Sequence, residues 1–250
     1  MEITKQQEFW DEESSIDDYF RNYLDCVTKN SWTAMFENVE HKSGFRVFGN
    51  VLEIGGGSQY LSRFLSVRKD INIVCTDISD QRIKLSNQYY KTLPANIKTM
   101  GNINAQCLPF KDEQFDFIIG DAVLHHIEDL RSGLYEINRC LKPNGKAIFI
   151  REPVLGIDIL FKRRLKKFIN RKKYTLEKLK FIIDNKFEFD KFLFQWSEEF
   201  YRAGFDFKSY KGWYYKNNKD VLKSRFPILF TSLISFHLTK SVDIKELSVH

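Results

Sequence analysis

The stretch VLEIGGGSQYL, residues 51–61, decides the fold. An apolar run ends in Glu53, three glycines follow, and the next residues can open a helix. That is the pattern of a strand, a tight turn and a helix, the place where α/β folds receive nucleotides. Working outward, RVFGNVLEI (46–54) reads as a first strand and 58–67 as a short helix. INIVCTD (71–77) is a second strand, with a helix over roughly 80–92. NIKTM (96–100), FDFIIGD (115–121) and KAIFIRE (146–152) supply three more. Between the last two, Leu130, Leu134, Ile137 and Leu141 recur at helical spacing, and Pro-Asn-Gly stops the helix. Short apolar strands alternating with helices imply a parallel sheet covered on both faces.

The flanks differ in texture. Residues 1–45 mix aromatics with acids (EFWDEESSIDDYF, 8–20) and read as helices before the first strand. The aromatic residues Phe9, Trp10, Tyr19, Phe20 and Tyr23 either close over a ligand or pack an apolar helix face on the sheet. Residues 154–195 are rich in Lys and Phe and read as a mostly helical, basic insertion. Residues 196–250 complete the sheet: SEEFYRAGFDFKSY (197–210) has the form of a helix, a Gly turn and a sixth strand. The four regions are thus a helical cap (1–45), a nucleotide-binding core (46–153), the insertion and the C-terminal completion.

At 250 residues, 43% of them hydrophobic, the chain can bury one sizeable core. The polar, acidic start MEITKQQEFWDEESS does not read as a signal peptide. The longest nearly apolar run, FPILFTSLISFHL (226–238), falls short of the ~20 residues a membrane span needs. Cys26, Cys75, Cys107 and Cys140 are widely spaced with no C-x-x-C pair. That usage points to reduced thiols and a cytoplasmic protein, with no metal site.

Net charge is +6, but KRRLKKFINRKK (162–173) carries eight basic residues and no acid. Without that segment, 31 basic residues face 33 acidic ones. Basicity is therefore local. With Phe161, Leu165, Phe168 and Ile169 on one stripe, residues 160–173 read as an amphipathic helix. Three roles stay open for it: a solvated cap on the active site, peripheral contact with an anionic membrane, or contact with RNA phosphates. The chain has no recognisable RNA-binding module, which weighs against nucleic acid.

The glycines discriminate between ligands. Gly55 and Gly57 match the first two positions of the dinucleotide fingerprint, but Tyr60 stands where its third glycine should be. A carboxylate such as Glu53 about 4 Å from a phosphate would cost on the order of 4 kcal/mol at an effective dielectric near 20. The same carboxylate favours a ligand carrying an ammonium or sulfonium group. Asp77 ends strand two, twenty residues beyond Gly57, where a carboxylate can accept from both ribose hydroxyls. Together they point to a phosphate-free, cationic adenosine ligand, S-adenosylmethionine.

With VLEIGGGS, CTDIS, NAQCLPFKDEQFDFIIGDAVLHHIED and EINRCLKPNGKAIFIREP in this order and spacing, residues 46–152 resemble the class I S-adenosylmethionine-dependent methyltransferases of the type 11 branch. The resemblance implies a Rossmann-like α/β fold with a seven-stranded sheet in the order 3-2-1-4-5-7-6 and its seventh strand antiparallel. It implies that Glu53, Gly55 and Gly57 line the methionine end of the cofactor. Asp77 would hold the ribose, with Ile78 against the adenine; Asn104 and Ala105 would meet the adenine edge, and Gly120 would offer a backbone carbonyl. Asn104 departs from the family's usual Asp, which predicts weakened cofactor binding. His126, just past strand four, is the candidate catalytic base or acceptor-orienting group, whereas His125 is read as packing or capping. The expected activity is methyl transfer to a small-molecule, glycan or lipid-linked acceptor, with oxygen as a candidate atom. An RNA or protein methyltransferase docking through the basic helix, and a cofactor-binding scaffold without turnover, are the alternatives.

Overall fold

The computed structural model of the chain describes residues 5–15, 33–155, 191–216, 220–223 and 232–241. Among the described residues, two helices, α1 (Lys5–Ser15) and α2 (Thr33–Ser43), precede the first strand. The core then alternates β1 (Gly49–Ile54), α3 (Tyr60–Leu65), β2 (Ile71–Thr76), α4 (Asp80–Tyr90), β3 (Ile97–Met100) and β4 (Phe115–Asp121). A 3-10 turn (Leu124–His126), α5 (Leu130–Cys140) and β5 (Leu141–Leu155) follow. Beyond the insertion come β6 (Lys191–Phe192), α6 (Leu193–Arg202), β7 (Phe205–Lys216), β8 (Asp220–Lys223) and β9 (Ser232–Lys240).

These strands form one sheet in the order β3-β2-β1-β4-β5-β9-β7-β8, with the short β6 beside β5. Pairing is parallel from β3 to β5, and β9 enters antiparallel between β5 and β7. With β7 and β9 as sixth and seventh strands, this is the expected 3-2-1-4-5-7-6 order. The hairpin strand β8 and the two-residue β6 are additions that the sequence pattern does not announce. The parallel half carries apolar residues at successive positions because both of its faces are covered. Leu52, Ile118, Ala147 and Phe149 point to a cluster with α5 and α6, which contribute Leu134, Ile137, Trp196 and Phe200. Val51, Phe117, Ile119 and Ile148 point to the opposite cluster with Phe36 of α2 and Leu61 of α3.

Local signals set the boundaries. Ser79 caps α4 by accepting from the Arg82 N–H, and Asp129 caps α5 by accepting from the Ser132 N–H. Leu141, expected as the last apolar position of α5, instead starts β5. The strand absorbs Pro143–Gly145 as an irregularity, pairing Phe115 with Leu141 and then Phe117 with Lys146. Gly204, at φ +73°, makes the turn from α6 into β7, the expected helix–Gly–strand sequence. Residues 156–190, which include the basic segment, lie outside the described residues, as do Cys26, Tyr19, Phe20 and Tyr23. No helix among the described residues is long and apolar enough to cross a membrane.

Candidate cofactor and acceptor cleft

The carboxyl ends of the parallel strands open into a cleft of about 300 Å³. Its β1–β2 side is built from the glycine turn. Gly55 has φ +63°, and a Cβ there would run into the Val123 side chain, so only glycine fits. At Gly57 a Cβ would stand 2.7 Å from Asp77 Oδ2, and the bare backbone lets the Gly57 N–H donate to that oxygen at 2.8 Å. The other oxygen, Oδ1, accepts from the Ser79 N–H at 2.8 Å. Asp77 is thereby fixed at the end of β2 and lines the cleft. Burial pushes its carboxyl up, while the Arg82 guanidinium and these N–H groups pull it back.

Ile78, Ile103, Asn104 and Ala105 form the adjoining wall. Asn104 Oδ1 accepts from the Gln106 N–H at 2.9 Å and the Asn104 carbonyl from Cys107, so the loop after β3 is tied to itself. Gly120 is inside β4, in register with Ile54 and Phe149, and is not a cleft-lining residue.

Glu53 lies elsewhere than its sequence position suggests. It is buried beneath the turn rather than at the cleft wall, and both the Ser62 N–H and the Ser62 hydroxyl donate to its Oε2. A Cβ at Gly56 would press on its carboxyl carbon at 2.7 Å. Burial raises its pKa to about 7, with Ser62 and Cys75 opposing. At neutral pH Glu53 therefore carries only part of a negative charge, and acts on the cleft through the turn rather than by contact.

The β4–β5 side of the cleft holds groups that sequence reasoning missed. Asp121 and Arg151 both line it and form a buried two-point pair, with Arg151 Nε donating to Oδ1 at 2.5 Å and Nη2 to Oδ2 at 2.8 Å. Burial raises the Asp121 pKa while Arg151 opposes. The backbone is contorted to place them: Ala122 has φ +52° and Arg151 φ +58°. The register against β9 shifts between Phe149 and Glu152, so the strand bulges at Arg151. Its neighbour Glu152 is fully buried and accepts from the N–H groups of Val123, Leu124 and His125 and from His125 Nδ1. This carboxylate holds the 3-10 turn together and orients His125, the packing role expected of that histidine. A strand-end pair of charges in FIREP is the signal that could have found them, since ligands of open α/β sheets sit beyond the carboxyl ends of strands.

His126, by contrast, faces the cleft. Its ring lies 3.9 Å from that of His125 and edge-on to Trp10 at 5.0 Å. Trp10 and Gln6 of α1 close the cleft from outside. The Gln6 side-chain amide donates to the His126 carbonyl, and Arg82 lies over the Trp10 ring at 4.3 Å. Gln7 donates to Asn102, and Ser79 to Asp11, so α1 is latched to both walls. Of the two arrangements open to Trp10, closure over a ligand site or packing on the sheet, closure over the cleft is the geometry found.

Sheet order, glycine turn and acidic strand ends match the Rossmann-like fold of class I methyltransferases. More narrowly, residues 52–149 match the family model described as a methyltransferase domain, the type 11 branch. Curated relatives include the ubiquinone/menaquinone biosynthesis C-methyltransferase UbiE of Citrobacter koseri, 30% identical over 115 residues, 43% of this chain and 44% of that protein. Another is a mitochondrial arginine-hydroxylase, NDUFAF5, of Danio rerio, 31% identical over 111 residues, 44% of this chain and 32% of that protein. The chain spans less than half the length of these relatives, and their names cover two kinds of reaction. Among solved structures, phosphoethanolamine N-methyltransferase 2 of Haemonchus contortus with S-adenosyl-L-methionine superposes with a TM-score of 0.69 at 14% identity, covering 96% of this chain and 60% of that one. A possible histamine N-methyltransferase from Thermotoga maritima gives 0.61 at 19% identity, covering 94% and 100%. At these identities the likeness is one of fold.

Proposed function

We propose that the chain is an S-adenosylmethionine-dependent methyltransferase acting on a small-molecule, glycan or lipid-linked acceptor. The observation that carries this is the glycine turn bonded to Asp77 at the edge of the cleft. Asp77 has lone pairs left after its two N–H bonds, and its carboxylate suits a ribose diol. Ile78, Ile103 and Ala105 offer an apolar slot for a purine, with Asn104 at its edge. The turn has no side chains, so a ligand tail can approach its backbone closely. These features fit S-adenosylmethionine, which when bound supplies a methyl group activated by a sulfonium.

The protein's own task is alignment and exclusion of water. Trp10 and Gln6 roof the cleft, while Val123 and Ile127 line its wall. His126 presents an imidazole that can take a proton from an acceptor hydroxyl near neutral pH. His125, braced by Glu152, fixes the turn from which His126 projects. The test is release of S-adenosylhomocysteine in the presence of candidate hydroxyl, amine and carbon acceptors. Turnover on any of them supports the assignment. Tight binding of both cofactor forms without turnover on any acceptor favours the scaffold reading.

A further inference from the structure

Resting on that reading of the cofactor, we propose that Arg151, steered by Asp121, recognises an acceptor bearing an anionic oxygen: a carboxylate, phenolate or enolate. The cleft divides along the sheet. Asp77, Ile78, Asn104 and Ala105 cluster beyond β2 and β3, the nucleoside half, whereas Asp121 ends β4, His126 closes the 3-10 turn after it and Arg151 lies at the bulge of β5. The second half is where an acceptor must lie to meet His126.

Charge then selects the acceptor. Among the described cleft residues, Asp77 and Asp121 are balanced by Arg82 and Arg151. S-adenosylmethionine brings a sulfonium, an ammonium and a carboxylate, so the loaded cleft carries one net positive charge. An anionic acceptor neutralises it, and an alkylammonium acceptor would add to it. Arginine is suited to receive such a group because its guanidinium carries five N–H donors and the Asp121 pair uses two of them. The backbone supports a binding role. The bulge in β5 and the left-handed φ of Arg151 and of Ala122 aim this pair into the cleft, and the Ala122 N–H donates to the Ile150 carbonyl at 2.8 Å to lock the two strand ends together. Strained non-glycine residues persist where the surrounding structure holds them for a ligand.

The experiment uses the full chain saturated with S-adenosylmethionine and three probes of one shape and different charge: benzoate, benzamide and benzamidine. Binding is followed by calorimetry and ligand-observed NMR. Benzoate is expected to bind about tenfold tighter than benzamide, with benzamidine weakest. Arg151→Gln should reverse the order, since Asp121 is left as an anion. The double variant Asp121→Asn/Arg151→Gln, which removes the arginine but leaves the cofactor's own positive charge, should keep only a weaker benzoate preference of about two- to threefold. Both variants are to keep cofactor affinity within about threefold of wild type. A preference for benzamidine in wild type, or a benzoate preference that is undiminished in the double variant, overturns the proposal. So does a large loss of cofactor affinity in the double variant, which would assign Arg151 to the cofactor. Wild-type protein that binds no S-adenosylmethionine overturns the functional reading itself, an outcome separate from the probe order.

Discussion

Replacing Glu152 by Gln removes the charge that organises the acceptor side of the cleft. The carboxylate is fully buried and serves four donors: Oε1 accepts from the Val123 and Leu124 N–H groups at 2.9 and 3.0 Å. Oε2 accepts from the His125 N–H at 3.2 Å and faces His125 Nδ1 at 2.8 Å. A glutamine can keep the first pair through its carbonyl but turns an NH2 toward the second. Each lost bond to a charged acceptor is worth roughly 1.5–3 kcal/mol, and a change of His125 tautomer recovers part of one. The net loss expected is about 3 kcal/mol, which for a domain of this size lowers the melting temperature by roughly 6–12 °C. Calorimetry at pH 7 reads it directly. The pH dependence supplies a second check. Burial pushes the Glu152 pKa up, but His125 and the N–H groups of Leu124 and Val123 outweigh it, so the folded value lies below the ordinary 4.5. A depressed folded pKa gives stability that is present above the unfolded value and is lost as pH falls through the folded one. The gap between wild type and Glu152→Gln should therefore narrow below about pH 4.5. A variant melting within about 2 °C of wild type at pH 7 refutes the reasoning.

Glu53 behaves oppositely. Its folded pKa of about 7 lies above the ordinary 4.5, so the folded state holds the extra proton and stability falls as pH rises between those values. Glu53→Gln should stabilise the unliganded protein at pH 8 by about 3 kcal/mol while weakening S-adenosylmethionine binding, and chemical denaturation at pH 5 and pH 8 separates the two proteins. Asp77→Asn should weaken the cofactor by roughly 10- to 100-fold, from one or two bonds to ribose hydroxyls; calorimetry showing a change under about twofold would remove the ribose assignment. Gly57→Ala places a methyl 2.7 Å from Asp77 Oδ2, so the protein should fold with an unchanged circular dichroism spectrum yet bind cofactor poorly. Trp10→Ala removes the roof over Arg82 and His126, and a faster cofactor off-rate by stopped-flow fluorescence is expected, with roughly a three- to tenfold loss of affinity.

What the sequence discloses is local. β4 lies at Phe115–Asp121, where FDFIIGD reads as a strand, because a short apolar run between polar turns has one way to sit in a parallel sheet. The glycine turn and Asp77 are legible because their chemistry depends on spacing alone. Glu53 is not: its residue type signals an anion at the ligand, whereas the strand's alternation turns it beneath Gly56 toward Ser62. Arg151 and Glu152 are hidden because a bulge inverts their expected faces, and nothing in IREP announces a left-handed φ. The docking of α1 depends on contacts between residues more than 60 positions apart, Asp11 with Ser79 and Gln6 with His126, which no periodicity encodes.

At the centre stands a glycine turn bonded to Asp77 and backed by a buried acid, as the holder of a cationic adenosine ligand. The most direct measurement is a calorimetric competition between S-adenosylmethionine and NADH for the same protein at pH 7.5. One-to-one binding of the sulfonium compound that excess NADH does not displace is the predicted result, and preferential binding of NADH would contradict it.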